Sequence, residues 1–325
     1  MRKVILWATV LCMTVLLFAG CGGDSSDGKA PSQKTNMVYA TGGTSGTYYP
    51  LGGAMAQIWN TKADNVNVTA QATGASIENL RLLESDEAEL AIVQSDTIDY
   101  AVKGIEVFND KLVNVRAIAY MYPEVIQVVV RADSGIESIA DLRGKKVGVG
   151  APGSGTEANF RQLIDVAGLT YDDLSPQYLS FSESSDQFKD SHIDAFIVVA
   201  GIPNSAIMDI STQHEIKIIN FSDDMLAKVA EKYPFLKAIA IPAGTYRGID
   251  SETKTVAVMA TLAVSASVSD DVVYNLTKVM FENLSDLAAV NAKGKEIELE
   301  NAVSGMTVPL HPGAEKYFKE KGVLK

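Results

Sequence analysis

Residues 146–168 read KVGVGAPGSGTEANFRQLIDVAG. Lys146–Gly150 is short, mostly apolar and does not alternate with polar residues, as in a strand covered on both faces. Gly150 to Glu157 is a run of glycine, proline, serine and threonine. From Thr156 onward Phe160, Leu163, Ile164 and Ala167 recur with the helical period, and Gly168 fits the helix end. A buried strand, a glycine-rich loop and an amphipathic helix, in that order, form the repeating unit of a parallel-type α/β sheet.

The same alternation extends in both directions. Candidate strands are 37–41, 66–70, 89–93, 116–120, 126–131, 195–199, 217–220, 238–241 and 256–262, most of them rich in Val, Ile and Ala. Between them, Leu51, Ala54, Met55, Ile58 and Trp59 form one helical stripe after Pro50. Ser76 is expected to cap a helix carrying Ile77, Leu80 and Leu83. Ser269 is expected to cap one carrying Val272, Val273, Leu276, Val279, Met280 and Leu284. About 290 residues exceed the usual size of one sheet domain, so two lobes are expected. Lobe I takes residues 36–125 plus 242–325, lobe II takes 126–241, and the hinges fall near Tyr122–Gln127 and Phe235–Ala243. A short echo between Glu89–Ser95 and Asp194–Gly201 fits this duplication.

Five polar loops follow candidate strands: Thr41 to Pro50, Ala72 to Ser76, Gln94 to Thr97, Gly150 to Glu157 and Ala200 to Asn204. Ligands of open α/β sheets bind at the carboxyl ends of strands. Free amides at helix starts and the helix dipole favour anions there, and glycines let backbone approach the ligand. One such loop is most simply a turn plus a cap. Five in matching positions point to a shared site for a small carboxylate.

The chain begins with Arg2 and Lys3, then an apolar run from Val4 to Ala19, then Gly20 and Cys21. This is the pattern of a secretory signal over 1–20, with an apolar run short for a spanning helix. Leu17-Phe18-Ala19-Gly20-Cys21 resembles a lipoprotein cleavage box, so lipidation of Cys21 is expected, with Phe18 where leucine is usual. Residues 21–35 read as a flexible, lipid-anchored tether. Cys12, the only other cysteine, falls in the removed segment, which leaves no free thiol for catalysis or a metal. The whole chain has a formal charge of −12, and loss of Arg2 and Lys3 makes the remainder 26 − 40 = −14. Such acidity gives no long-range attraction for nucleic acid.

Sharper motifs fail. Gly144-Lys145-Lys146 lacks the flanking residues of a phosphate loop, and neither Ser45 nor Ser154 lies in G-x-S-x-G. His192, His214 and His311 have no metal-ligand spacing; the first two read as surface residues and His311 as a turn residue. Asp172/Asp173 and Asp223/Asp224 read as solvated loops or helix starts. No nucleophile, base and orienting group assemble, no cofactor motif appears, and the chain is expected not to be an enzyme.

Gly42-Gly43-Thr44-Ser45-Gly46-Thr47-Tyr48-Tyr49, Glu78 to Leu83, Ile92-Val93-Gln94-Ser95-Asp96 and Pro309 to Ala314 resemble the TAXI solute receptors, the TRAP-associated extracytoplasmic immunogenic proteins. The resemblance runs from about Met37 to the C-terminus. Asp133 to Val147 and Gly153 to Thr156 are similar more widely to type II periplasmic binding proteins. The resemblance implies a two-lobed flytrap, a tripartite ATP-independent (TRAP) transporter as membrane partner, and glutamate or 2-oxoglutarate as ligand. By position it implies Thr44, Ser45, Tyr48, Ser76, Gln94, Ser95, Ser154, Gly155, Thr156 and Gly201 as ligand-facing. Asp190-Ser191-His192 stands where such receptors commonly have glycine.

The expectation is therefore a monomeric, lipid-anchored extracytoplasmic receptor for a small carboxylate. No arginine is assigned to its cleft. Alternatives are an amino-acid receptor of an ATP-driven importer, an exported α/β enzyme and a sensory lipoprotein.

Overall fold

The computed structural model describes residues 34–325. The signal segment 1–20, Cys21 and the tether up to residue 33 lie outside the described residues. Ten strands are β1 (Thr35–Ala40), β2 (Val66–Gln71), β3 (Leu90–Gln94), β4 (Val115–Arg131), β5 (Lys146–Gly148), β6 (Ser175–Gln177), β7 (Ala195–Ala200), β8 (Ile216–Ile218), β9 (Lys237–Ile241) and β10 (Thr253–Ser265). The helices are α1 (Tyr48–Lys62), α2 (Ser76–Glu84), α3 (Ser95–Lys103), α4 (Gly155–Val166), α5 (Phe181–Lys189), α6 (Ser205–Gln213), α7 (Asp223–Lys232), α8 (Asp270–Glu282), α9 (Leu284–Val290) and α10 (Pro312–Glu320).

The strands hydrogen-bond in the order β2-β1-β3-β10-β4-β7-β5-β6, with β8 on β4 and β9 on β10. The fold class is α/β with helices flanking the sheet, as expected. The sheet is mixed rather than parallel throughout. The β1–β2, β1–β3, β5–β6 and β5–β7 pairs are parallel, whereas β10 runs antiparallel to β3 and β4, and β4 antiparallel to β7. β3 and β7 are buried along their whole length, which is why neither alternates with polar residues. The outer strand β2 does alternate.

β4 is one 17-residue strand where the sequence suggested two. Pro123 falls between the two, and proline removes a ladder donor, which argues against a central strand. Here it coincides with an irregularity: β10 pairs Met259 with Pro123 and then Thr261 with Tyr120. The register slips where the proline cannot donate.

The buried apolar residues separate at this point. Those from Met37 to Tyr122 and from Ala260 to Phe318 pack together on one side of the slip. Those from Val125 to Val258 pack on the other. β4 and β10 run through both groups. In the first, Trp59 lies against Tyr39 with ring centroids 5.4 Å apart, and its indole N–H donates to the Leu276 carbonyl at 2.9 Å.

Local chemistry follows the sequence with corrections at three caps. Gly168 ends the α4 region at φ 73, whereas Ser269 takes the capping position of α8 without a side-chain hydrogen bond. Ser76, however, is the first residue of α2 and not its cap. The capping position is Ala75, at φ 79 and ψ −143 with no side-chain bond to give. Thr156 likewise lies inside α4; Ser154 caps it, its hydroxyl accepting from the Glu157 amide. Ser191, in the stretch where glycine is common, has φ 59 in the left-handed region, and Arg131 donates to its hydroxyl at 3.0 Å. His311 caps α10, accepting from the Gly313 amide, while its other ring nitrogen meets the Val268 carbonyl. Asp223 and Asp224 open α7.

Candidate functional site

A cavity of about 80 Å³ lies where the loops before α1, α2, α4 and α5 meet the ends of β3 and β7 and the middle of β4. Each loop reaches it because its preceding strand points there, and each helix begins beside it. The cavity therefore collects helix N-termini from both core groups. In α4 the Ser154 hydroxyl takes the Glu157 amide; Gly155 and Thr156 line the cavity, and their amides come too early in the helix for an intrahelical partner.

Tyr48, Ser76, Gln94, Ser154, Gly155 and Thr156 line this cavity, so these sequence-predicted residues are brought together. All but Gly155 carry polar side chains, each no more than 6% exposed. Thr44, Ser45, Ser95 and Gly201 are not in the lining. Thr44 is exposed. The Ser45 carbonyl accepts from Asn204 and Ser205, both at 3.1 Å, tying the first loop to α6. Ser95 is buried at the start of α3. Gly201 donates its amide to Thr47 at 3.1 Å, and a β-carbon there would stand 2.6 Å from Lys293 Cε. A side chain there would have to displace the end of Lys293. Tyr49 is exposed and does not line the cavity.

The lining residue with the most chemistry was missed from sequence. Glu124, in β4, is 2% exposed. The Tyr48 hydroxyl donates to its Oε2 at 2.7 Å, and the Gln94 amide also hydrogen-bonds it. Burial raises its carboxyl pKa to about 8, with the Asp96 charge adding to the rise and the two hydrogen bonds opposing it. Burial likewise pushes the Tyr48 and Tyr122 hydroxyls well up, with Glu124 reinforcing both. The only available signal was a charged residue inside an apolar strand pattern. Thr47, Phe181, Val199 and Ala200 also line the cavity. The last two end β7, and Phe181 opens α5.

Two contacts close the cavity between the core groups. The Gly153 carbonyl accepts from the Ile77 and Glu78 amides, at 3.1 and 3.2 Å. It caps α2 from across the gap, in place of the side chain that Ala75 lacks. Behind the cavity Asn159 of α4 donates to buried Asp96 of α3 at 2.8 Å, and Gln162 donates to the Tyr100 hydroxyl at 3.2 Å.

No lysine, arginine or histidine lines the cavity. Arg161 pairs with Glu157, and Arg131 bonds the Phe188 carbonyl over the Phe188 ring. Among the described residues no cluster of His, Cys, Asp and Glu could hold a metal, and no helix is long and apolar enough to cross a membrane.

Solved structures resemble this one at low identity. A protein from Bordetella bronchiseptica RB50 matches with TM-score 0.52 and 17% identity, over 89% of this chain and 81% of that one. The periplasmic aliphatic sulphonate binding protein SsuA from Escherichia coli matches with TM-score 0.47 and 13% identity, over 87% and 78%. The substrate binding protein of an amino acid ABC transporter gives 0.45 and 12%, over 79% and 97%. The likeness to the Bordetella protein is one of fold, an α/β architecture with a mixed sheet flanked by helices. A model of the family described as NMT1-like matches residues 39–322, nearly the whole described body, and the chain belongs to that family.

Proposed function

We propose that this chain is the extracytoplasmic receptor of a TRAP transporter, held to the membrane by a lipid on Cys21, and that it captures a small carboxylate such as glutamate or 2-oxoglutarate. The body works as two lobes joined through β4 and β10, closing on the ligand without turnover. The observation that carries this reading is the convergence of Ser154, Gly155, Thr156, Ser76, Gln94 and Tyr48 on one small cavity fed by helix N-termini from both core groups. Amides and hydroxyls in that setting favour an anion without a basic side chain. The TAXI motifs quoted above support the choice of transporter.

Two measurements test it. Native mass spectrometry of the purified protein, with melting curves against dicarboxylates and amino acids, should find a ligand that raises the melting temperature. No response to any of them refutes the receptor reading. Uptake by the reconstituted permease should follow an ion gradient; dependence on ATP instead refutes the TRAP assignment and leaves the receptor.

A further inference from the structure

Glu124 is the one acid in the wall of this anion site: protonated it can give a ligand one hydrogen bond, and ionised it would repel a carboxylate and attract a cation. It is held in place by Tyr48 and Gln94 and lines the cavity. The Gln94 side chain adds a second observation. Its Oε1 is buried and has no partner among the described residues. The cavity wall therefore holds a carboxyl group and, just beneath its surface, an amide oxygen without a donor, alongside the helix start of α4.

We infer that the ligand carries a protonated amine as well as a carboxylate, the amine bound by Glu124 and Gln94 Oε1 and the carboxylate by the Gly155 and Thr156 amides and the Ser154 and Thr156 hydroxyls. This deepens the proposed function, on which it rests: the pocket selects an α-amino acid over the matching 2-oxo acid. Phe181, Val199 and Ala200 cover the ligand carbons.

The groups facing Glu124 are Tyr48 from α1, Gln94 from β3, Asp96 from α3 and Tyr122 from β4 itself, while β10 offers the apolar Val258 opposite it. None is a cation, so the empty pocket keeps the Glu124 proton at neutral pH. A bound ammonium displaces that proton: Glu124 ionises, the ligand nitrogen stays protonated, and one proton passes to solvent. A 2-oxo acid carries no cation and leaves the proton in place.

Titration calorimetry with L-glutamate and 2-oxoglutarate, at pH 7 in buffers of different ionisation enthalpy, reads both affinity and protons released. L-glutamate should bind on the order of 100-fold more tightly than 2-oxoglutarate and release close to one proton, whereas 2-oxoglutarate should release none. Glu124→Gln should lose a similar factor for L-glutamate and release no proton on binding it. Equal affinity of the native protein for the two ligands, or proton-neutral binding of L-glutamate, overturns the amine subsite and leaves the carboxylate receptor standing. The proton count needs no variant, so a poorly folding Glu124→Gln does not blunt the test. If neither ligand binds, nor any other matched pair of amino and 2-oxo acids, the proposed function falls together with this inference.

Discussion

Replacing Gly155 with alanine should weaken ligand binding while leaving the fold intact. A β-carbon at this position would stand 1.8 Å from Gln94 Oε1, 2.5 Å from Gln94 Cδ and 2.9 Å from Ser76 Oγ. Ordinary non-bonded contacts are near 3.5 Å, so Gln94 would have to retreat by roughly 1.5 Å. It is 2% exposed and hydrogen-bonds Glu124, so it cannot do so freely. Either Gln94 releases the carboxyl group, which costs about 1.5–3 kcal/mol, or α4 stands off from β3 and the cavity stays wider. By either route affinity for L-glutamate should drop roughly 10- to 100-fold. Stability should respond differently. Gly155 does not occupy the left-handed region, so alanine fits its backbone and restricts the unfolded chain, a gain of about 0.4–1 kcal/mol that offsets part of the crowding. Calorimetry with L-glutamate and urea unfolding of the same sample measure the two effects. Unchanged affinity would refute the idea that Gly155 is glycine because the ligand site needs the space. A loss of several kcal/mol in folding would show instead that the fold needs it.

Three further outcomes follow from single residues. The Glu124 carboxyl titrates near 8 when folded, against an ordinary 4.5. The native state therefore holds a proton that the unfolded chain has shed, and this group's contribution falls as pH rises from 4.5 through 8, by at most about 1.4 kcal/mol per unit. Urea unfolding between pH 5 and 9 should show Glu124→Gln flatter than the native protein and the more stable of the two at pH 9; parallel curves would contradict the buried, protonated acid. Ala75→Gly relieves a backbone conformation suited to glycine and should stabilise by about 1 kcal/mol, read as a higher thermal midpoint. Trp59→Ala empties a fully buried site against Tyr39 and removes the indole bond to the Leu276 carbonyl, and should cost about 3–5 kcal/mol in urea.

Much of the fold could be read from hydrophobic pattern because its strands are buried on both faces or end abruptly in glycine-rich loops. β3, β5 and β7 each combine an apolar run with a polar exit, and each exit enters the cavity or flanks it. β4 was not legible as one strand because Pro123 looks like a stop, and only the slip in the β10 ladder accommodates it. β6, Ser175–Gln177, is a serine and a glutamine around a proline, none of them buried, and carries no pattern. In the site, residues on helix starts were legible because glycine and hydroxyls mark such starts. Gly201 and Ser45 carry the same marks for another reason: one avoids Lys293 and the other lends its carbonyl to α6. Composition cannot tell a glycine cleared for a ligand from one cleared for a lysine. Glu124 lies mid-strand, and its role depends on Tyr48 and Gln94 arriving from distant parts of the chain.

The Gly153 carbonyl caps α2 from across the gap, and the amides of Ile77 and Glu78 have no other acceptor in that arrangement. Any parting of the two core groups removes their acceptor and admits water in its place. Deuterium uptake at these two amides should therefore count opening events directly, slow with the gap shut and fast with it open, while amides deep in β3 record only global unfolding. The helix start works as a built-in clock for the proposed trap, needing no attached probe and no second structure.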